Sequence, residues 1–150
     1  MGKILVLGLG NLLMGDEGIG IHVIKKLMEI KLPKNIEVVD GGTAAFDLMP
    51  YLKAAQKLII VDAVQTGGKE GAIYRLRPED LSPGSGKTLS LHQITLQEVL
   101  EAAHLLDIKP EVIIIGIEPK QIGCGDELSQ ELKEVIPAVT RIIKEELSIL

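Results

Sequence analysis

"ILVLGLGNLLMGDEGIG" spans residues 4–20, and its reading decides the fold. Four apolar residues (4–7) run into a glycine-rich turn. Beyond it Ile21, Ile24, Leu27 and Met28 recur at spacings of three and four between residues 17 and 30, while Lys25, Lys26 and Glu29 fill the opposite face. That pattern predicts a buried strand, a tight turn and an amphipathic helix. A strand–glycine turn–helix is also the opening of a dinucleotide-binding domain, whose G-x-G-x-x-G fingerprint brings backbone up to a pyrophosphate. Gly8 and Gly10 fit the fingerprint, and Asp40 stands where a ribose-binding acid would, but Leu13 occupies the third glycine position. Charge decides against an anion. A helix N-terminus attracts negative charge through its dipole and free N–H groups, and Asp16 and Glu17 already supply it, so a pyrophosphate there would be repelled.

Outward from this stretch the chain alternates short apolar runs with helical periodicity. Residues 36–40 ("IEVVD") and 57–64 ("KLIIVDAV") read as strands and 111–117 ("EVIIIGI") as a buried strand. Residues 71–78 ("GAIYRLRP") alternate in period two, as an edge or antiparallel strand does. Helices are predicted over about 45–52, along Leu96, Val99, Leu100, Ala103 and Leu106, and from about residue 126 to the end, with a kink at Pro137, which lacks the N–H its helix would use. Strands apolar on both faces and separated by helices define an α/β fold: a doubly wound three-layer sandwich with a mostly parallel twisted sheet. The expectation is a single domain over residues 1–150. Its one long irregular stretch, 78–93, is of a length that often carries function.

Composition narrows the classes of partner. The 150 residues are 46% hydrophobic with a net charge of −5 and charges of both signs interspersed. No basic stripe suggests nucleic acid, and no apolar run approaches the roughly 20 residues of a membrane span. One cysteine, Cys124, permits no internal disulfide. With residues 1–3 leading straight into a core strand, no signal peptide is expected, and the expected compartment is a reducing cytoplasm. A second nucleotide-like motif, "LSPGSGKT" (81–88), ends as a phosphate-binding loop does but begins with Leu81 instead of glycine and lacks the strand and helix that flank such loops.

In open parallel sheets ligands bind beyond the carboxyl ends of the strands. Asp16 and Glu17 follow the first strand, Asp40 ends the second and Asp62 ends the third, so carboxylates from three strands meet on one rim. An acid after "LIIV" is costly to bury unless something pairs it, which singles out Asp62. His92 lies in the irregular stretch that can fold over the same rim. Several carboxylates with an imidazole suit a divalent transition metal. The alternative reading of the adjacent pair is structural, since acids at a helix start cap it and oppose its dipole. His22 and His104 follow helix periodicity and read as structural. Cys124, in "GCGDE", has no partner histidine in a recognisable signature.

"GLGNLLMGDEGIG" together with "DGGTA" (40–44), "LIIVDAV" (58–64), "SLHQITL" (90–96) and "IGIEP" (115–119) resembles the hydrogenase maturation endopeptidases, in order and across essentially the whole chain. The resemblance implies an endopeptidase that removes a C-terminal extension from the large-subunit precursor of a nickel–iron hydrogenase after nickel insertion. Nickel, supplied by the substrate, is then the recognition element. It further implies that Glu17, Asp62 and His92 contact the metal and that Gly41, Gly42 and Thr43 form a turn beside the site. The acid pair is Asp-Glu here where some relatives carry Asp-Asp. Either the metal-contacting set positions the scissile bond, or the metal only docks the substrate while Asp16 or Asp40 acts as general base. The expected partner is the nickel-loaded precursor, without nucleotide, nucleic acid or membrane insertion. Rival readings are a non-hydrolytic nickel-binding maturation chaperone and, more distantly, a nucleotide-binding module.

Overall fold

The protein is described here from a computed structural model, which covers residues 2–42, 48–81 and 90–149 apart from the side chains of Leu91 and His92. Five strands, β1 (Lys3–Leu9), β2 (Ile36–Gly42), β3 (Ala55–Ala63), β4 (Ile73–Leu76) and β5 (Glu111–Ile117), form one sheet in the order β2-β1-β3-β5-β4. All neighbours are parallel except β4, which runs antiparallel along β5 at the edge. The helices are α1 (Ile19–Met28), α2 (Met49–Ala54), α3 (Leu91–Leu105) and α4 (Gln130–Glu146).

Period-two alternation of apolar residues builds a core on each face of the sheet. Leu5, Leu7, Leu9, Leu58, Ile60 and Ile114 face Leu52 of α2 and Leu96, Val99 and Ala103 of α3. Val6, Ile59, Val61, Ile113, Ile115 and Ile117 face Val23, Ile24 and Leu27 of α1 and Leu132, Val139 and Ile143 of α4. The result is the doubly wound three-layer α/β fold. From β1 the chain goes by α1 to β2 on one side, then returns across the opposite face by α2 to β3 on the other side of β1. The order reverses between β1 and β3, and their carboxyl ends flank the crevice where such folds bind ligands.

Close packing of α1 on the sheet rests on Gly20. A Cβ there would lie 2.2 Å from the carbonyl oxygen of Val61 and 2.3 Å from that of Leu9. The helix–strand contact that a nucleotide fold obtains from its third fingerprint glycine comes here from a glycine seven positions beyond Leu13.

Several boundaries differ from expectation. Asp16–Gly18 forms a single 3-10 turn, so α1 begins at Ile19 and not at residue 17. The closing helix begins at Gln130 because residues 120–129 are engaged with the β1 turn instead. It runs through Pro137 to Glu146, with the Thr140 hydroxyl donating to the Ile136 carbonyl at 2.9 Å. The helix expected near 45–52 occupies Met49–Ala54, and residues 43–47 lie outside the described set. At the far end of the sheet Glu146 accepts from Arg75 (3.0 and 3.1 Å) and Lys57 (3.0 Å), pinning α4 to β4 and β3. The bidentate Arg75 pair, helped by Lys57 against the cost of burial, pulls the Glu146 carboxyl down to about 2. No helix among the described residues is long and apolar enough to cross a membrane.

Candidate active site

The turn after β1 is held from outside by the loop that follows β5. Gly15 N–H donates to Gly125 O (2.9 Å), Asp16 N–H to Gln121 O (3.0 Å) and Gly125 N–H to Leu13 O (2.9 Å). The Asp16 side chain, fully buried, completes the clasp. Its Oδ2 accepts from the backbone N–H of Lys120 and Gln121 (both 2.9 Å) and from the Ser129 hydroxyl (2.8 Å), and its Oδ1 accepts from Ser129 N–H (2.7 Å). Burial alone would raise this carboxyl, but the donors from Ser129, Gln121 and Lys120 outweigh it and hold the group below the ordinary aspartate range. Asp16 is thus an ionised hub that shapes the turn.

Glu17, one residue on, is half-buried in the same 3-10 turn. Gly10 makes room for that turn: its φ is +131°, and a Cβ would meet the Glu17 carbonyl oxygen at 2.1 Å. Across the crevice Asp62 is 1% exposed. Its Oδ1 accepts from Ala63 N–H (2.8 Å) and its Oδ2 from the Gln93 side-chain amide (2.9 Å). Burial drives its carboxyl well above the ordinary range; the Gln93 and Ala63 bonds oppose this, and the nearby charge of Glu17 adds to it. Two carboxylates from separate elements are therefore brought together at the switch point, and the charge of Glu17 disfavours charge on Asp62. A cation between them would remove that penalty.

Asp40 is exposed on the neighbouring strand, its Oδ1 accepting from Gly42 N–H at 3.0 Å. It pairs in register with Gly8, and Gly10 N–H donates to Gly42 O at 3.1 Å, so the Asp40–Gly41–Gly42 corner abuts the base of the β1 turn. Two strand spacings separate Asp40 from Asp62, roughly 10 Å. Thr43 lies outside the described residues. The backbone of His92 is in the first turn of α3, beside the end of β3, while its side chain is outside the described set. Among the described residues no three His, Cys, Asp or Glu side chains form a metal-binding group; Glu17 and Asp62 supply two members of the expected set.

Two buried polar residues at this rim were not singled out from sequence. Gln93 is 3% exposed and links α3 to β3. Its signal was legible as a capping box, Ser90-x-x-Gln93. Glu118, directly after β5 in "IGIEP", is 4% exposed and accepts from Thr66 and Gly68 backbone N–H groups and from the Thr66 and Tyr74 hydroxyls. Burial works against its charge, but these donors prevail and lower its pKa. It folds the loop after β3 onto the sheet. Cys124 is exposed.

A doubly wound α/β domain whose helix-opening turn presents carboxylate to a crevice, where a nucleotide fold presents N–H groups to phosphate, defines the class. A family model described as hydrogenase maturation protease matches residues 21–146. The hydrogenase expression/formation protein HupD of Bradyrhizobium diazoefficiens is 38% identical over 89% of this chain and 72% of its own length. The protein of the same name from Rhodobacter capsulatus is 37% identical over 80% of this chain and 59% of its own. Among solved structures, the hydrogenase maturating endopeptidase HybD from E. coli superposes with a TM-score of 0.90 at 29% identity, covering 97% of this chain and 92% of that one. This chain belongs to the hydrogenase maturation protease family. It spans about six to seven tenths of the length of the two HupD relatives.

Proposed function

We propose that this protein is an endopeptidase that removes the C-terminal extension of a nickel–iron hydrogenase large-subunit precursor after nickel insertion, recognising the nickel carried by that substrate. The observation that carries the reading is the meeting of Glu17 and Asp62 at the switch point. A cation between two neighbouring acids relieves their repulsion, and a substrate-borne nickel is such a cation. In this reading His92, in the first turn of α3, completes the set that contacts the substrate's metal. Gly41 and Gly42, at the base of the β1 turn, line the approach of the peptide in this reading.

The chemistry assigned to the chain's own residues is hydrolysis without an acyl-enzyme. Of the two carboxylates that could serve as base, Asp16 has both oxygens committed to Lys120, Gln121 and Ser129 and is a poor proton acceptor. Asp40 is exposed at the strand end and takes the role. It accepts a proton from water as the water oxygen attacks the scissile carbonyl carbon. The C–N bond then breaks and the proton passes to the leaving amine. Contact of Glu17, Asp62 and His92 with the metal-bearing end of the substrate holds the scissile bond within reach of Asp40. The compartment that fits a chain with a single cysteine is the reducing cytoplasm.

Mass spectrometry of nickel-loaded and nickel-free precursor mixed with this protein tests the reading. Loss of a C-terminal peptide from the nickel-loaded form alone is expected. Unchanged mass in both forms, with the protein retaining nickel, would instead mean a carrier that hydrolyses nothing. Cleavage of both forms alike would remove nickel from the recognition step.

A further inference from the structure

A side-chain amide has one acceptor oxygen and two N–H donors, and Gln93 uses all of them across two elements. Its Oε1 accepts from Ser90 N–H (2.9 Å), while its Nε2 donates to Asp62 Oδ2 (2.9 Å) and to Ala63 O (2.8 Å). In return Gln93 N–H donates to the Ser90 hydroxyl, closing the capping box at the start of α3. A purely structural cap needs only the oxygen, and glutamate serves that purpose as well as glutamine. A glutamate could not donate to Asp62 or Ala63. The choice of an amide is therefore explained by the end of β3, not by the helix.

We propose that Gln93 is a positioning residue for the cleavage reaction, locking the Asp62 carboxylate and the α3 turn that carries His92 into one rigid unit. The inference rests on the reading of Glu17, Asp62 and His92 as the groups that meet the substrate's metal. With Oδ1 held by Ala63 N–H and Oδ2 by Gln93, the Asp62 carboxylate cannot rotate about its terminal bond. Since the second N–H of the same amide goes to the Ala63 carbonyl, the first turn of α3 cannot shift along β3 without breaking both contacts. Two members of the proposed set, on elements 30 residues apart, thus share one brace.

Three full-length variants separate this role from a cap. Gln93→Glu keeps the acceptor for Ser90 and removes both donors. Gln93→Met keeps volume and removes all three contacts. Ser90→Ala removes one arm of the cap and leaves the Asp62 contact. Expected are a fall of at least about tenfold in kcat/KM for nickel-loaded precursor with Gln93→Glu and Gln93→Met, and cleavage within about twofold of wild type with Ser90→Ala despite its lower Tm. The amide resonance of Ala63, which reports its bond to Asp62, should move in the Gln93 variants and stay in place in Ser90→Ala. Folded Gln93→Glu that cleaves within about twofold of wild type overturns the proposal, as does Ser90→Ala losing as much activity as Gln93→Glu. If wild-type protein leaves nickel-loaded precursor intact, the functional reading fails, and the Ala63 resonance alone then decides whether Gln93 holds Asp62.

Discussion

Asp16 and Asp62 are both buried aspartates on one rim, and their surroundings give them opposite properties. Asp16 sits between the β1 turn and the loop after β5, with four donors converging on two oxygens. Asp62 sits between β3 and α3, its oxygens accepting from Ala63 N–H and the Gln93 amide, with a second carboxylate, Glu17, across the crevice. The first is lowered below its ordinary range and the second raised well above it. Burial is common to the two. What differs is which influence prevails: at Asp16 the donors outweigh burial and the residue is a fastener, while at Asp62 burial outweighs the bonds from Gln93 and Ala63, which suits a site that a cation visits.

The sharpest way to break this comparison is to exchange the expected losses. Asp62→Asn should cut precursor cleavage roughly a thousandfold while leaving urea-denaturation stability near pH 4 within about 1 kcal/mol of wild type. Its stability should also depend differently on pH. A carboxyl whose folded pKa is raised destabilises the fold progressively as pH rises from about 4 through that higher value. The Asp62→Asn variant should therefore gain on wild type as pH increases over that window; a constant difference would contradict the raised pKa. Asp16→Ala should do the reverse and lose stability first, by roughly 3–5 kcal/mol, because three backbone N–H groups are left buried without their acceptor. An Asp16→Ala protein as stable as wild type would end its description as a fastener.

Smaller effects sharpen the contrast away from the site. Glu146→Gln should cost about 1–2 kcal/mol at neutral pH, read by thermal denaturation, with no change in cleavage. Since the Glu146 carboxyl is lowered to about 2, its contribution is present above the ordinary glutamate range and disappears as pH falls from there through about 2. Smallest of all, Cys124→Ser should leave cleavage within about twofold, because the exposed thiol takes no part in the proposed hydrolysis. Abolished cleavage would point to a thiol nucleophile and displace Asp40 from the role of base.

How much of this could be read from sequence follows from the range over which each interaction acts. The strand 111–117 is legible residue for residue, since a continuous apolar run states its own limits. Asp62 is conspicuous because an acid interrupts "LIIV". Asp16 and Glu17, by contrast, are adjacent acids with the same local pattern. What separates them is the set of donors at Lys120, Gln121 and Ser129, more than a hundred residues away. The start of α4 was misplaced for the same reason, since residues 120–129 spend their backbone bonds on the β1 turn. The capping box at Ser90 and Gln93 was visible in the pattern, but the link to Asp62 was not, because the two lie 31 residues apart.

The clasp around Asp16 also fixes when the site can come into being. Asp16 and Ser129 are 113 residues apart, and Asp16 and Lys120 are 104 apart. Closing so long a loop is entropically unfavourable until intervening elements have shortened it. The sheet must be in place through β5 before the first turn of the molecule can be set. During synthesis the acid at position 16 emerges early and finds its partners only after residue 129 has left the ribosome. The turn that presents Glu17 is then among the last parts of the fold to mature, so an incomplete chain would hold a sheet but no working crevice.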